Sequence, residues 1–295
     1  MAHWVLGQYG VAVRESDDSD RIGKKQTYRL LKNNFNSWTA DPFPFEYNGE
    51  LYIFAELFRF SDQKGYIGWC KKTKHGFSGW HPAIKEKFHM SFPNIFQIES
   101  EIFMCPEVNQ SNELAIYRCV NFPDKWEKMS VLANGRFTDT VFYRKAGDVY
   151  GFTYTLDKNF KMFRYDDGKI IFSDSKPQTI GVDLERPAGK IVNIRPYGEV
   201  MISQIGFPEY GSGLVFKNFT LNWPDYKETE LFKLYATDMN FDKNRKYTGM
   251  HTFNFSEHFT VVDVIYKQFR PVEFFFNALR KIKKIGCIVF EKLNK

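Results

Sequence analysis

The chain has 295 residues and a formal net charge of +6, and 18% of its residues are aromatic, including 31 phenylalanines. This length admits one large domain, and so many aromatic residues favour stacked hairpins over an α/β enzyme fold. From residue 270 onward there are seven Lys or Arg and two Asp or Glu, which leaves the rest of the chain close to neutral. A nearly neutral body lacks the wide basic surface that nucleic-acid binding needs, so nucleic acid is excluded as a partner.

The four cysteines, at positions 70, 105, 119 and 287, form no CxxC pair and no spacing typical of metal ligands. The first residues lack the charged start and apolar run of a secretion signal. No stretch approaches the roughly 18 apolar residues that span a bilayer. These features predict a reduced, cytoplasmic protein.

Residues 4–14 predict a β-strand, and a polar segment with the sequence DSD at 18–20 follows it. That triplet matches the DxD pattern with which some glycosyltransferases hold a metal-bound nucleotide sugar. It lies in an acidic loop with no apolar strand directly before it, which favours a solvated loop.

A strand, a turn and a second strand then recur at roughly fifty-residue spacing. Copies begin near Asp41, His89, Asp139, Glu185 and His251. Hairpins repeated at a fixed period are typical of blades around an axis, so five copies predict an all-β, five-bladed β-propeller. We expect the N-terminal strand to complete the last blade. The polar residue that opens each copy then faces one central pocket.

The longer step to the fifth copy predicts an exposed insertion at 222–244. Beyond residue 270 the apolar residues change to helical spacing beside lysines and arginines, which predicts a short basic amphipathic C-terminal helix. Residues 1–268 are therefore expected to form the propeller and 269–295 the helix. Two interpretations stay open: the helix contacts a membrane surface peripherally through 271–293, or residues 274–276 dock on the side of the propeller.

Carboxylates open three of the five copies, and we predict that Asp41, Asp139 and Glu185 are catalytic. Asp41 precedes a proline that biases it toward an extended conformation at the start of an inner strand. A carboxylate held in this way suits a base or nucleophile at a sugar's anomeric carbon. Asp139 could tune or orient it. Glu185 could donate a proton if buried, whereas Arg186 would hold it ionised if the two pair.

Further polar residues at the same end of the blades are predicted to bind substrate: His89, Ser91, Glu107, Arg186, Gln204, Tyr210 and His251. Glu56 and Glu107 end the second strands of their hairpins, so each could face inward or lie on the rim. Arg186 could instead bind a phosphate or a sugar carboxylate. No metal site is predicted, an ion in the central channel stays open, and the sequence identifies no cofactor.

Seven short motifs occur in a fixed order between about residues 30 and 265: ADPF, HxSFP, MCPE, FPxxW, DTxF, RPAG and GxHT. The first, with the strand that follows it, resembles the first blade of family 43 glycoside hydrolases. The ordered set more closely resembles the N-terminal propeller of glucosamine inositolphosphorylceramide transferases and stand-alone bacterial relatives linked to surface-polysaccharide synthesis.

The resemblance implies a five-bladed propeller with a carbohydrate ligand. In the hydrolases an Asp of the first blade is the base, a mid-chain Asp tunes and orients, and a later Glu is the acid. By motif these roles fall to Asp41, Asp139 and Glu185. The last departs from the hydrolase pattern because RPAG follows it directly.

These observations lead to a first hypothesis: an enzyme that transfers or trims a sugar during surface-polysaccharide or glycolipid synthesis. Its substrate would be a carbohydrate or nucleotide sugar, including a lipid-linked glycan, at the inner face of the membrane. The alternative is a non-catalytic glycan-binding propeller that positions a partner glycosyltransferase. A protein-interaction propeller, without convergent acids in its channel, is the third hypothesis.

Overall fold

The computed structural model describes residues 5–17, 22, 26–181, 183–206 and 209–293, with side chains described from residue 6 to residue 282. The DSD triplet at 18–20 lies outside these residues, as do the ends of both predicted domains, 1–4 and 294–295. Within them the strands form five sheets of four to six strands. The structure is therefore a five-bladed β-propeller, as the repeat predicts.

The strands follow one another around the ring, numbered in chain order. Two strands that belong to the fifth blade come first: β1 (Val5–Glu15) and β2 (Thr27–Leu30). Blade 1 consists of β3 (Ser37–Tyr47), β4 (Glu50–Arg59), β5 (Lys64–Thr73), β6 (Gly76–Phe77) and β7 (His81–Ile84). Blade 2 consists of β8 (Ser91–Ile98), β9 (Glu101–Glu107), β10 (Glu113–Asn121) and β11 (Lys125–Asn134).

The remaining blades continue this order. Blade 3 consists of β12 (Phe137–Lys145), β13 (Asp148–Thr155), β14 (Phe160–Asp166) and β15 (Lys169–Phe172). Blade 4 consists of β16 (Gln178–Ile180), β17 (Val192–Ile194), β18 (Gly198–Gln204), β19 (Leu214–Asn222) and β20 (Asp225–Leu234). Blade 5 adds β21 (Asn240–Phe241), β22 (Tyr247–Gly249), β23 (Phe253–Phe255) and β24 (Phe259–Phe269) to β1 and β2.

Blade 5 closes the ring because it combines strands from the N-terminal and the C-terminal parts of the chain. β1 pairs antiparallel with β24 along its whole length, from Val5 opposite Phe269 to Glu15 opposite Phe259. The expectation that the N-terminal strand completes the last blade is therefore confirmed. The exposed insertion predicted at 222–244 is wrong for its first half, because residues 225–234 form β20. Its Tyr226 is buried and packs on Phe152 of blade 3, with ring centroids 5.2 Å apart.

The innermost strands of blades 1, 2 and 3 share a β-bulge. The pairing register shifts between Ala40 and Phe43, between Ser91 and Asn94, and between Thr138 and Val141. In each bulge the first extra residue has a left-handed φ: 51° at Asp41, 46° at Phe92 and 50° at Asp139. Bulges bend a strand and re-aim its side chains. The residue of blade 2 equivalent to the two aspartates is therefore Phe92, and not His89 as the sequence repeat suggests.

Within the described residues one α-helix, α1 (Pro271–Leu293), follows β24 and begins at its proline. Arg270 and Glu273 form an ion pair of 2.7 Å across its first turn. Arg280 donates to the carbonyl groups of Phe60 and Ser61, which fixes the helix to blade 1. Among the described residues, no helix is long and apolar enough to cross a bilayer.

Candidate active site

Blades 1, 2, 4 and 5 enclose a central cavity of about 370 Å³. Seven predicted site residues line it: Asp41, His89, Ser91, Glu107, Arg186, Tyr210 and His251. Glu56, which the sequence leaves either inward or on the rim, also lines it. Three aromatic lining residues, Tyr9, Trp38 and Phe58, are not among those predicted from the sequence. The repeat therefore brings most of the predicted residues together.

Asp41 is 5% exposed, and the bulge of β3 aims its carboxylate across the ring. Its Oδ2 accepts a hydrogen bond from the backbone N–H of Phe92 at 3.1 Å, and its Oδ1 accepts one from the hydroxyl of Thr252 at 2.7 Å. Burial raises the pKa of Asp41 to about 6, although the neighbouring His251 lowers it. Residues of three blades therefore fix the Asp41 carboxylate, and its raised pKa lies near enough to neutral pH for the group to gain or lose a proton.

His251 lies between two buried carboxylates. Its Nε2 is 3.5 Å from Oδ1 of Asp41, and its Nδ1 is 2.5 Å from Oδ2 of Asp263. Burial opposes the charge on the ring, but Asp263 and Asp41 outweigh it and raise the pKa of His251 to about 9. Asp263 also accepts the backbone N–H groups of Asp41, His251 and Thr252 at 2.9–3.1 Å.

The three side chains Asp41, His251 and Asp263 offer ligand atoms within 4.8 Å of one another, a spacing that suits a cation. The donor set does not fit one well. Backbone N–H groups already donate to both oxygens of Asp263, and the N–H of Phe92 and the hydroxyl of Thr252 donate to those of Asp41. We therefore interpret the cluster as a hydrogen-bonded network that fixes Asp41.

Arg186 joins the carboxylates of blades 2 and 3. Its Nε donates to Oδ2 of Asp139 at 2.5 Å, and a terminal nitrogen donates to Oε2 of Glu107 at 3.2 Å. Gln204 also donates to Asp139, at 3.0 Å, and the ring of Tyr210 lies 5.5 Å from the guanidinium carbon. Asp139 and Gln204 thus stand behind Arg186 and orient it. Burial and the charge of Asp139 raise the pKa of Glu107 well above its usual range, since one guanidinium faces two carboxylates.

Glu56 and His89 form a second pair on the cavity wall. The backbone N–H of Gly65 donates to Nδ1 of His89 at 2.9 Å, so the neutral ring carries its proton on Nε2. That nitrogen lies 3.3 Å from Oε1 of Glu56. Burial, followed by the charge of Asp41, raises the pKa of Glu56 well above its usual range. The surroundings of Glu56 therefore favour its protonated form, while the charged His251 favours the ionised form of the neighbouring Asp41.

Glu185 is not among the described residues that line the cavity. It is half-buried beside Gly206, whose backbone N–H donates to it, and burial raises its pKa. Successive side chains on an extended segment point to opposite sides, so the inward position of Arg186 turns Glu185 away. The geometry thus does not support Glu185 as the acid of this cavity. It also gives no Glu185–Arg186 pair, since the guanidinium bonds Asp139 and Glu107 instead.

Aromatic rings form one side of the cavity. Trp38 stacks on Phe58 with centroids 4.5 Å apart and planes 7° apart, and Tyr9 stacks on His251 at 4.7 Å. Flat apolar faces beside a few convergent polar groups are typical of small-ligand sites. The alternation of β1 could have identified Tyr9, because its neighbours Gln8 and Gly10 face the other way.

Comparison with known proteins agrees with this architecture. Residues 29–181, just over half of the chain, match the family described as glucosamine inositolphosphorylceramide transferase 1, N-terminal. The chain belongs to this family. Glucosamine inositolphosphorylceramide transferase 1 of Arabidopsis thaliana is 35% identical over 120 residues, which cover 40% of this chain and 15% of that protein. The protein of the same name from Oryza sativa subsp. indica is 33% identical over 115 residues, which cover 38% of this chain and 15% of that protein.

The chain thus matches only a small part of these transferases. Among solved structures, it resembles the catalytic domain of a Coprinopsis cinerea GH62 α-L-arabinofuranosidase, with a TM-score of 0.54 and 10% identity over 78% of this chain and 90% of that one. It also resembles a GH43_1 enzyme from Xanthomonas citri bound to xylotriose, with a TM-score of 0.54 and 9% identity over 80% of this chain and 87% of that one. At such low identity these similarities establish the propeller fold alone.

Proposed function

We propose that this member of the family is a carbohydrate-active enzyme that acts at a glycosidic bond, by transfer or by trimming. We place this reaction in the synthesis of a surface polysaccharide or glycolipid, with a sugar, nucleotide sugar or lipid-linked glycan as substrate. The observation that carries the proposal is the convergence of Asp41, Glu56 and Glu107 on one aromatic-walled cavity of about 370 Å³. That volume falls in the range of roughly 300–1,000 Å³ found for small-ligand sites.

The two carboxyl groups of blade 1 supply the acid and the base. Glu56 is the cross-strand neighbour of Ala40, so it stands next to Asp41 at the same end of the hairpin. Chemistry at a glycosidic bond needs one protonated and one ionised carboxyl group, and different environments keep them so. Glu56 would give its proton to the leaving oxygen. Asp41 would attack the anomeric carbon or take a proton from the incoming hydroxyl group.

The experiment compares Asp41→Asn and Glu56→Gln with the wild type on aryl glycosides and on UDP-N-acetylglucosamine with glycan acceptors. We expect each variant to lose at least ~10²-fold in kcat, the usual effect of removing an acid or base, while its thermal unfolding stays that of a folded protein. Glu185→Gln is the matched control and should retain activity. Full activity of Asp41→Asn would refute the assignment, and loss of activity in Glu185→Gln alone would return the acid role to Glu185.

A second candidate is a glycan-binding propeller that positions a partner glycosyltransferase. Arg186, a cation, occupies the inward position of blade 4 and is held by Asp139 and Glu107. The matched family is also named as an N-terminal part of transferases. Calorimetry with glucosamine and N-acetylglucosamine distinguishes the candidates: binding that Asp41→Asn weakens, with no turnover of any substrate, would favour this one.

The proposal places the reaction in the cytoplasm, at the inner face of the membrane. Fractionation of cells that express the tagged full chain tests this location. Recovery of the protein outside the cytoplasmic and inner-membrane fractions would contradict it.

A further inference from the structure

A second cavity, of about 1100 Å³, lies between blades 5 and 1 beside the start of α1. We call it the basic cleft, because its described lining includes five cations and one carboxylate: Arg29, Lys32, Lys243, Arg245, Arg270 and Asp242. The carboxylate accepts the backbone N–H of Leu30 at 2.8 Å, and Arg270 pairs with Glu273. The other four cations are exposed. The cleft therefore presents excess positive charge to the solvent.

An apolar hollow of about 440 Å³ adjoins the basic cleft. Its lining residues are Phe35, Asn36, Pro271, Val272, Phe275 and Phe276, and three of them, Phe35, Pro271 and Val272, also line the cleft. Phe35 is 81% exposed, Phe275 is 59% exposed and Ile282 of the same helix is 65% exposed. Large apolar side chains from two separate segments thus protrude beside one patch of cations.

The body of the protein holds this surface in place. Arg280 is fixed to the carbonyl groups of Phe60 and Ser61, and Arg270 donates to the carbonyl of Gly7 at 2.5 Å. Phe276 is half-buried, while Phe275, the residue before it, faces outward. The helix therefore docks one side on blade 1 and presents its other side to the solvent.

We propose that the basic cleft, the apolar hollow and the exposed side of α1 bind the interface of an anionic lipid bilayer. Amphipathic helices of this kind lie in the interfacial plane, with apolar side chains below the headgroups and cations among the phosphates. The exposed phenylalanines suit the apolar region below the headgroups, and the lysines and arginines beside them suit the phosphate region. This proposal stands on its own and does not depend on the sugar chemistry.

Bilayer binding would place the sugar cavity close to the lipid. Gln8 and Ser37 line the basic cleft, and the residues that follow them, Tyr9 and Trp38, line the central cavity. Neighbouring residues of β1 and β3 therefore line both cavities.

Sedimentation of the full chain with vesicles tests the proposal. The probes are phosphatidylcholine vesicles and vesicles of equal parts phosphatidylcholine and phosphatidylglycerol. We expect binding to the anionic vesicles, and weaker binding as salt is added. Replacing Lys32→Gln and Lys243→Gln together should weaken binding at least tenfold, since each lysine near an anionic surface contributes about fivefold.

Further variants and matched controls show whether the loss of vesicle binding is specific to this surface. Phe35→Ser with Phe275→Ser should also release the protein, whereas the exposed controls Lys74→Gln with Lys169→Gln, and Met129→Ser, should bind as the wild type does. All variants must show the unfolding temperature of the wild type, and Phe35→Ser alone replaces the pair if the pair is unstable. Failure of the wild type to bind anionic vesicles would overturn the proposal, as would equal losses in the control variants.

Discussion

Nε2 of His251 lies 3.5 Å from Oδ1 of Asp41, while Nδ1 of the same ring lies 2.5 Å from a carboxylate oxygen of Asp263. One imidazole thus bridges two carboxylates that are almost inaccessible to solvent. Burial disfavours its charge, but the carboxylates prevail and raise the pKa of His251 to about 9. The ring therefore stays protonated at neutral pH and serves as the counter-ion of Asp41.

The first prediction concerns stability against pH. A histidine with a raised pKa in the folded state stabilises the fold fully below its unfolded value of about 6.5, and this contribution is lost as the pH rises through about 9. We expect the free energy of unfolding to fall by roughly 3 kcal/mol between these values. Urea unfolding between pH 6.5 and pH 9.5 measures it. In His251→Gln the fall should be smaller, because the part due to His251 is gone while the raised pKa values of Glu56 and Glu107 still contribute. An equal fall in this variant would assign it to other groups.

The second prediction concerns Arg186. Replacement by Met leaves Asp139 and Glu107 buried without their guanidinium partner, which typically costs about 3–5 kcal/mol. Chemical denaturation should show this loss. Adding Asp139→Asn removes one unpaired charge, so the double variant should recover part of the stability. A double variant less stable than Arg186→Met would show that Asp139 is not the unpaired charge responsible.

The third prediction tests the packing of blade 3. Gly151 lies opposite Phe163 on the neighbouring strand, and a Cβ atom at Gly151 would come within 1.9 Å of that ring. Gly151→Ala should therefore destabilise the protein by about 1–3 kcal/mol. Gly7 of β1 is the matched control, because nothing lies within 4 Å of a Cβ atom there. Thermal unfolding should separate the two variants, and similar melting temperatures would refute the packing.

The fourth prediction concerns two hairpin turns. Ala146 and Gly147 connect β12 to β13 with φ angles of 52° and 93°, and Asn48 and Gly49 connect β3 to β4 with 52° and 75°. Asparagine tolerates the left-handed region better than alanine. Ala146→Asn should therefore raise the free energy of unfolding by about 0.5–1 kcal/mol, and Asn48→Ala should lower it by a similar amount. Denaturation midpoints that move in the opposite directions would contradict this.

The sequence predicts the ring and much of the site because its repeat places Asp41 and Asp139 at the same point of their blades. It fails where a β-bulge sets the direction of a side chain. His89 is in phase by spacing, yet the bulge gives Phe92 the equivalent position, and His89 reaches the cavity from a loop instead. Whether Glu185 or Arg186 faces the cavity depends on a one-residue difference in strand register, and composition does not determine that register. Trp38 and Phe58 belong to the site through strand alternation, which a search for charged residues overlooks.

The pairing of β1 with β24 also determines when, during synthesis, the central cavity is assembled. Tyr9 lies on β1 and His251 directly before β23, so residues from both ends of the ring meet in the cavity. During synthesis on the ribosome the first four blades emerge while the final partner of β1 is still missing. Contacts so distant along the chain form late, and they carry a large loop-closure entropy. The cavity is therefore completed only when β24 pairs with β1, and a nascent chain that still lacks β24 has no assembled cavity.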